Sequence, residues 1–261
     1  MGRLGTGGAL GNSGWVQVVG VEVGGGSPRF SFLLAHGEDP FRLAWEAGYR
    51  IIRPMSASGT RDELTVTVQV TAHRRPVAPR GPQRTRTMLR GVGTADADPI
   101  VRQRLAAYAL VVSERGILAT EFSDRTAIPG LWSLPGGGID DGENPAQTVQ
   151  REVYEETGQI VEVKRFLDLQ TDHWIGQSPT GVVEDFHAVR LIYAATCPEP
   201  TDPVVHDQGG TTANCRWVPA ESWRTVDWAS GARALLNRHA TTQLHLCRRE
   251  RWLRDHERDA G

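Results

Sequence analysis

"LPGGGIDDGENPAQTVQREVYEETG", residues 134–158, decides how the rest of the chain is read. Three consecutive glycines precede a segment that places Glu152, Glu155 and Glu156 close together. The segment carries both ends of a helix. Asn144 is a good N-cap, Pro145 suits the first helical position, and Gln147 completes a capping box. Gly158 is placed to end the helix in the left-handed conformation. The expected helix is therefore 145–157. At about 100° per residue, the three glutamates share an arc of about 100°. Val149, Val153 and Ala146 form the adjoining core-facing stripe, and Glu156 borders it, so its carboxylate is expected to be half-buried.

Clustered carboxylates repel. At an effective dielectric near 20 and a separation of about 5 Å, each pair costs on the order of 3 kcal/mol. No lysine lies in the segment and Arg151 is the one adjacent cation. Divalent cations relieve the repulsion better. Mg²⁺, with Mn²⁺ as the alternative, takes hard oxygen ligands and works together with substrate phosphates. The glycines fit this reading, because a loop without side chains lets backbone groups approach a metal and a phosphate. A glutamate-rich helix alone would more ordinarily be a solvated face; the spacing decides against that.

The spacing is G-x5-E-x7-R-E-U-x-E-E-x-G, with U a bulky aliphatic residue, carried by Gly137, Glu143, Arg151, Glu152, Val153, Glu155, Glu156 and Gly158. This resembles the signature of the Nudix hydrolases. The final aliphatic position of the pattern is Gln159, a departure that touches packing after the helix and not the ligands. The resemblance implies a Nudix-type α/β/α sandwich with a mixed sheet, and hydrolysis of a diphosphate linkage attached to another moiety. It implies Glu152 and Glu156 as principal metal ligands, Glu155 as a further ligand or the base, and the Gly136 carbonyl as another ligand. Arg151 and Glu143 would orient the glutamates, and Gly137 would lie against substrate. Which of Glu152, Glu155 and Glu156 removes the proton stays open, and a base from another loop is not excluded.

Glu184 and Asp185, opening the strand "EDFHAVRLIY", are the outside candidates for that base, Glu184 also as a metal ligand and Asp185 as a substrate contact. The plain alternative is an exposed strand end. Trp132 and Trp174 are candidates to stack on a base, although a tryptophan is more often core than platform. "TDPVVHDQGG", residues 201–210, has the composition of a mobile loop that would close on a ligand. No downstream subfamily mark selects a substrate.

Working outward, the 261 residues carry 39% hydrophobic and 23% charged side chains with a formal net charge of −2, the profile of an ordinary globular chain. The expected fold class is α+β. Residues 1–28 form a glycine-rich segment interrupted by "WVQVVGVEV", and 29–73 a small α+β unit whose helix opens at Asp39–Pro40 with Phe41, Ala44 and Trp45 facing a core. Residues 74–99 form a linker rich in proline and arginine, and 100–261 the hydrolase domain with a C-terminal helix. Six arginines lie in 74–93 with no acidic residue among them, as in a phosphate- or RNA-binding arm. The solvated connector is the favoured reading, and nucleic-acid binding is disfavoured, because no aromatic is interleaved to stack on bases. "MGRLGT" meets the loose myristoylation pattern, a short match that recurs by accident. No apolar run reaches the length of a membrane span and no signal pattern opens the chain. Three widely spaced cysteines suit a reducing compartment, and the expected location is cytoplasmic.

The function expected is a Mg²⁺-dependent pyrophosphohydrolase acting on a nucleoside triphosphate or nucleoside diphosphate derivative. The alternatives are a hydrolase of a non-nucleotide diphosphate metabolite and a non-catalytic ligand sensor on the same fold. The expected partner is a small-molecule diphosphate, with no membrane; a homodimer is among the states the sequence allows.

Overall fold

The computed structural model describes residues 15–73, 98–178, 181–207 and 210–258. The arginine-rich linker expected at 74–99 lies outside the described residues except for its last two positions.

The first unit is a four-stranded sheet. β1 (Trp15–Glu22), β2 (Phe30–Leu33), β3 (Tyr49–Thr60) and β4 (Glu63–Ala72) stand in the order β2-β1-β4-β3, with β1 parallel to β4 and the other pairs antiparallel. In β4 the apolar residues alternate with polar ones. Leu64, Val66, Val68 and Val70 are all buried, as period-two alternation requires of a strand with one covered face. β1 lies between β2 and β4, so the apolar piece within the glycine-rich N-terminal stretch is an interior strand of this sheet. The short helix α1 (Pro40–Glu46) starts where expected, with the Asp39 carboxylate accepting the Phe41 N–H at 2.8 Å. Its packing differs from the expected stripe. Ala44 is buried, but Phe41 is exposed and Trp45 stacks on His73 at 3.8 Å. A helix of under two full turns rests on few side chains, here Pro40 and Ala44 with Leu43 beside them.

The second unit holds the glutamate motif. Its strands are β5 (Ile100–Ser113), β6 (Gly116–Phe122), β7 (Trp132–Ser133), β8 (Gly136–Gly138), β9 (Glu162–Gln177), β10 (Val183–Thr196) and β11 (Thr212–Val218). The order is β11-β6-β5-β10-β9, with β7 on β6 and β8 on β5. β10 runs parallel to β5 and the other pairs are antiparallel, so the sheet is mixed. α2 (Pro145–Thr157) covers one face, where Val149 and Val153 join Leu105, Ala107 and Ala109. α3 (Ser230–Arg258) covers the other, where Leu235, Leu236 and Ala240 meet Leu110, Val112 and Ile192. The fold is an α+β, α/β/α sandwich. The charged C-terminal stretch continues α3 as one helix and is not a separate element.

The core on the α2 side does not stop at the second sheet. Val16, Val18, Leu64, Val66 and Val68 of the first sheet belong to the same buried cluster as Leu105, Val189 and Leu191. Both units therefore bury their apolar faces in common, which makes a loose tether an inadequate description of their junction. No described helix is long and apolar enough to cross a membrane.

Candidate functional site

The site is built from the loop at Leu134–Gly138 and from α2. The helix has the caps its sequence calls for. The Asn144 side chain accepts the N–H groups of Ala146 and Gln147, Gln147 returns the bond to the Asn144 N–H, and Gly158 closes the helix at φ 68°. These caps fix the register in which the glutamates meet the glycines.

Glu156 is the most deeply set of the three. It is 8% exposed, deeper than the half-burial expected at the edge of the stripe. Both its oxygens accept hydrogen bonds, one from the Gly136 N–H at 2.9 Å and one from the Thr212 hydroxyl at 2.5 Å. Burial nevertheless pushes its carboxyl up to about 7. Glu152 lies against the next glycine, and a Cβ on Gly137 would stand 2.4 Å from the Glu152 Oε1. Only a residue without a side chain leaves room for that carboxylate. Burial raises its carboxyl too, against the pull of Arg151. Glu155 is half-exposed on the rim and accepts from Arg151 at 3.0 Å.

Arg151 ties the loop to the helix. Its guanidinium donates to both oxygens of Glu143 at 2.7 and 2.9 Å, to the Gly138 carbonyl at 3.1 Å and to Glu152 at 2.9 Å. The paired bonds from Arg151 hold the Glu143 carboxyl down to about 2, with the Thr148 hydroxyl contributing. Arg104 stands on the other side of the loop. Its Nε and Nη2 are 3.7 Å from where a Cβ on Gly138 would be, and its charge acts on Glu152.

A cleft of about 200 Å³ opens on the α3 face of the sheet, and none of the α2 glutamates lines it. It shares Ser133 and Leu134 with the strand and turn that lead into the glycines, and its walls include Tyr108, Phe122, Gln170 and the ion-paired Asp172 and Arg190. Sequence reasoning missed these residues. Asp172 and Arg190 come together only through the β9–β10 register, in which Arg190 faces Gln170.

The other sequence candidates lie elsewhere. Trp132 does not line the cleft; Arg216 packs over its ring at 4.2 Å. Trp174 packs against Phe186 with the rings tilted and their centres 5.1 Å apart. Glu184 is buried and paired to Arg102 at 3.2 Å. It is level with Ile100 on β5, whereas Gly138 is level with Ala106, a distance of about 20 Å along the strand. Glu184 is thus not brought to the glutamates of α2. Asp185, beside it, points to the opposite face and meets His36 and His173. The loop at 201–210, read from composition as mobile, is fastened over its described part. The N–H groups of His206 and Asp207 donate to the Glu155 carbonyl at 2.8 and 3.0 Å, Val204 donates to the Thr157 carbonyl at 3.0 Å, and His206 stacks on Tyr154. The C-terminal carbonyls of α2 need donors, and this loop supplies them.

The acids at the glycine loop fit a hard divalent cation. Glu152 and Glu156 are oxygen donors whose carboxyls are raised by burial, so their anions are under-neutralised by the protein groups around them.

A NUDIX domain family model matches residues 102–238, more than half of the chain. The chain is 27% identical over 130 residues to nucleoside triphosphatase NudI of Enterobacter sp. (strain 638), a match over 49% of this chain and 89% of that protein. It is 39% identical over 113 residues to nucleoside diphosphate-linked moiety X motif 6 of Mus musculus, covering 42% of this chain and 32% of that one. Among solved structures, the MutT protein from Methanosarcina mazei Go1 aligns over 54% of this chain and 94% of its own at 19% identity, with a TM-score of 0.42.

Proposed function

The chain belongs to the NUDIX family, and from that premise we propose that it is a Mg²⁺-dependent pyrophosphohydrolase cleaving the diphosphate linkage of a nucleoside triphosphate or nucleoside diphosphate derivative. The observation that carries the reading is the meeting of Glu152 and Glu156 with Gly136 and Gly137, two carboxylates converging on a loop without side chains. The name of the NudI relative, a nucleoside triphosphatase, supports the nucleotide over other diphosphates.

Glu152, Glu156 and the Gly136 carbonyl would hold Mg²⁺, or Mn²⁺, with Glu155 on the rim. Bound there, the ion neutralises diphosphate charge and makes a nearby water more acidic. The protein's own groups do the rest. The proton of the attacking water goes to a carboxylate of this group, Glu152 or the rim residue Glu155. Glu156 is less free for this, since Gly136 and Thr212 occupy both of its oxygens. Arg151, clamped by Glu143, keeps Glu152 and Glu155 in position. Arg104 adds positive charge beside the glycine loop, where the diphosphate would lie. Tyr108 and Phe122 offer aromatic surface to a base, and Arg190, Asp172 and Gln170 offer it hydrogen bonds. The three cysteines are free, in keeping with a cytoplasmic enzyme.

The test is a hydrolysis screen of the full-length protein across nucleoside triphosphates, nucleoside diphosphate derivatives and non-nucleotide diphosphates, with and without Mg²⁺. Mg²⁺-dependent release of pyrophosphate or phosphate from a nucleotide is expected. Turnover confined to non-nucleotide diphosphates, or unaffected by chelation, would overturn the proposal.

A further inference from the structure

A second constellation lies away from the glutamates, where the first unit meets β9 and β10. His36 follows β2 in the first unit. His173 is on β9, and Asp185 and His187 are on β10, two residues apart and so on one face. The register sets His187 directly opposite His173. One oxygen of Asp185 lies 3.0 Å from the His36 Nε2 and 2.5 Å from the His173 Nε2. Ligand atoms of His36, His173 and Asp185 all lie within 4.8 Å of one another. The loop bends tightly to achieve this: Gly37 has φ +75°, and a Cβ there would stand 2.9 Å from the His173 ring.

The fourth member is the informative one. His187 is fully buried, and neither of its ring nitrogens has a hydrogen-bond partner. The Glu38 backbone lies near enough to favour a protonated ring, but no bond of acceptable geometry reaches it. A buried imidazole always carries at least one N–H or lone pair that needs a partner, and leaving such groups unmet costs about 1–3 kcal/mol each. Both ring nitrogens are therefore left without a protein partner on the face that looks toward His36 and His173. Ring centres stand 5.2 Å apart for His36 and His173, 5.6 Å for His36 and His187, and 6.1 Å for His173 and His187, with planes steeply inclined. Three imidazoles around one tetrahedral ion, each with nitrogen about 2.0 Å from the metal, would have ring centres about 5 Å apart.

We propose that His36, His173 and Asp185, with His187 as the fourth ligand, bind one zinc ion that fastens the N-terminal unit to the hydrolase sheet. Three nitrogens and one carboxylate oxygen suit zinc and not Mg²⁺, which takes oxygens and retains waters. Four protein ligands close the coordination sphere, the mark of a structural site. His187 stands outside the 4.8 Å group that the other three form, so its ring has to turn about its side-chain bonds to reach the ion. The side chains of His36, His173 and Asp185 retain 24%, 21% and 22% exposure, which gives the ion a way in. The site is separate from the glutamates in ligand chemistry and lies on the far part of β9 and β10, so a change here need not touch the residues of α2.

The experiment uses full-length protein, stripped by chelation and then titrated with zinc chloride in excess Mg²⁺, which occupies the oxygen-ligand site. Bound zinc is counted after gel filtration and thermal unfolding is followed with and without it. One zinc per chain and a higher unfolding temperature with zinc are expected. His36→Gln and Asp185→Asn are expected to weaken zinc binding by at least about tenfold and to remove the zinc-dependent rise, while Mg²⁺-dependent hydrolysis stays within about twofold. Cobalt substitution supplies a readout that folding alone does not move, because tetrahedral cobalt absorbs intensely in the visible and His173→Gln should abolish that band. Wild-type protein that retains no zinc, or His36→Gln and Asp185→Asn variants that retain it as wild type does, would overturn the proposal and leave the cluster a set of histidine–carboxylate hydrogen bonds.

Discussion

Replacing Glu156 by Gln separates the two things this residue does. The carboxyl sits at about 7 in the folded protein against an ordinary 4.5. Below pH about 4.5 folded and unfolded chains both hold the proton, and the group does not affect stability. From about 4.5 to 7 the unfolded chain ionises first, so the folded state loses stability as pH rises; above 7 the full penalty stands. The gap corresponds to about 3 kcal/mol, nearly undiscounted because the group is buried. Gln has no proton to lose. Its carbonyl oxygen can accept the Gly136 N–H, and its amide can donate to the Thr212 oxygen once that hydroxyl turns. In metal-free buffer the variant is therefore expected to match wild type near pH 4.5 and to exceed it at pH 8 by up to about 3 kcal/mol, on the order of 5–10 °C in Tm. With Mg²⁺ and substrate its kcat should fall on the order of 10³, the loss of a group that holds the ion. Thermal scans in chelator at several pH values and steady-state assays give both numbers. Parallel pH profiles for the two proteins would refute the buried-anion reasoning, and unchanged Mg²⁺-dependent turnover would refute the metal assignment.

Two further substitutions follow from the same geometry. Gly137→Ala places a Cβ 2.4 Å from the Glu152 Oε1 at a position whose backbone lies outside the left-handed region, so the fold should persist with a similar Tm while the displaced carboxylate lowers kcat by on the order of 10²; kinetics and a melting curve check the split. Gln159→Leu restores an apolar residue at the departing position of the motif, yet should destabilise by about 1–3 kcal/mol in urea unfolding with activity per folded molecule unchanged. Gln159 is 2% exposed, donates to the Thr201 hydroxyl at 2.8 Å and the Thr157 carbonyl at 3.2 Å, and accepts the Thr201 N–H at 3.0 Å.

What was legible in the sequence is what short-range chemistry dictates. Asn144, Pro145, Gln147 and Gly158 fix both ends of α2 from within the helix, and the alternation in β4 fixes its buried face. The depth of Glu156 was underestimated because helix projection knows nothing of Thr212, which arrives from β11. The cleft was not legible for the same reason: Tyr108, Asp172 and Arg190 lie on three strands and share a wall only through parallel and antiparallel registers that no local signal sets. Asp185 was singled out as a strand-opening acid, but its partner His36 comes from the other unit, 149 residues away. Composition gave residues 201–210 mobility, whereas the open carbonyls at the end of α2 recruit their N–H groups.

The distribution of Arg151 shows how this helix would hold a cation without collapsing around its own charges. A single guanidinium faces Glu143, Glu152 and Glu155. Its two parallel bonds go to Glu143, which is held ionised down to about 2 and is the acid farthest in sequence from the ligand set. Glu152 receives one bond and Glu156 none from it, and both carboxyls are raised by burial. Had Arg151 paired with Glu152 through both nitrogens, the loop would be neutral and a divalent ion would have to displace a strong ion pair. Clamped instead by Glu143 and by the Gly138 carbonyl, Arg151 holds the glycine loop against the helix and leaves the buried Glu156 and the half-buried Glu152 short of positive charge. That shortfall is what a divalent ion would fill, and metal affinity would then depend on Glu143 at one remove: loss of Glu143 would free Arg151 to compete with the ion for Glu152.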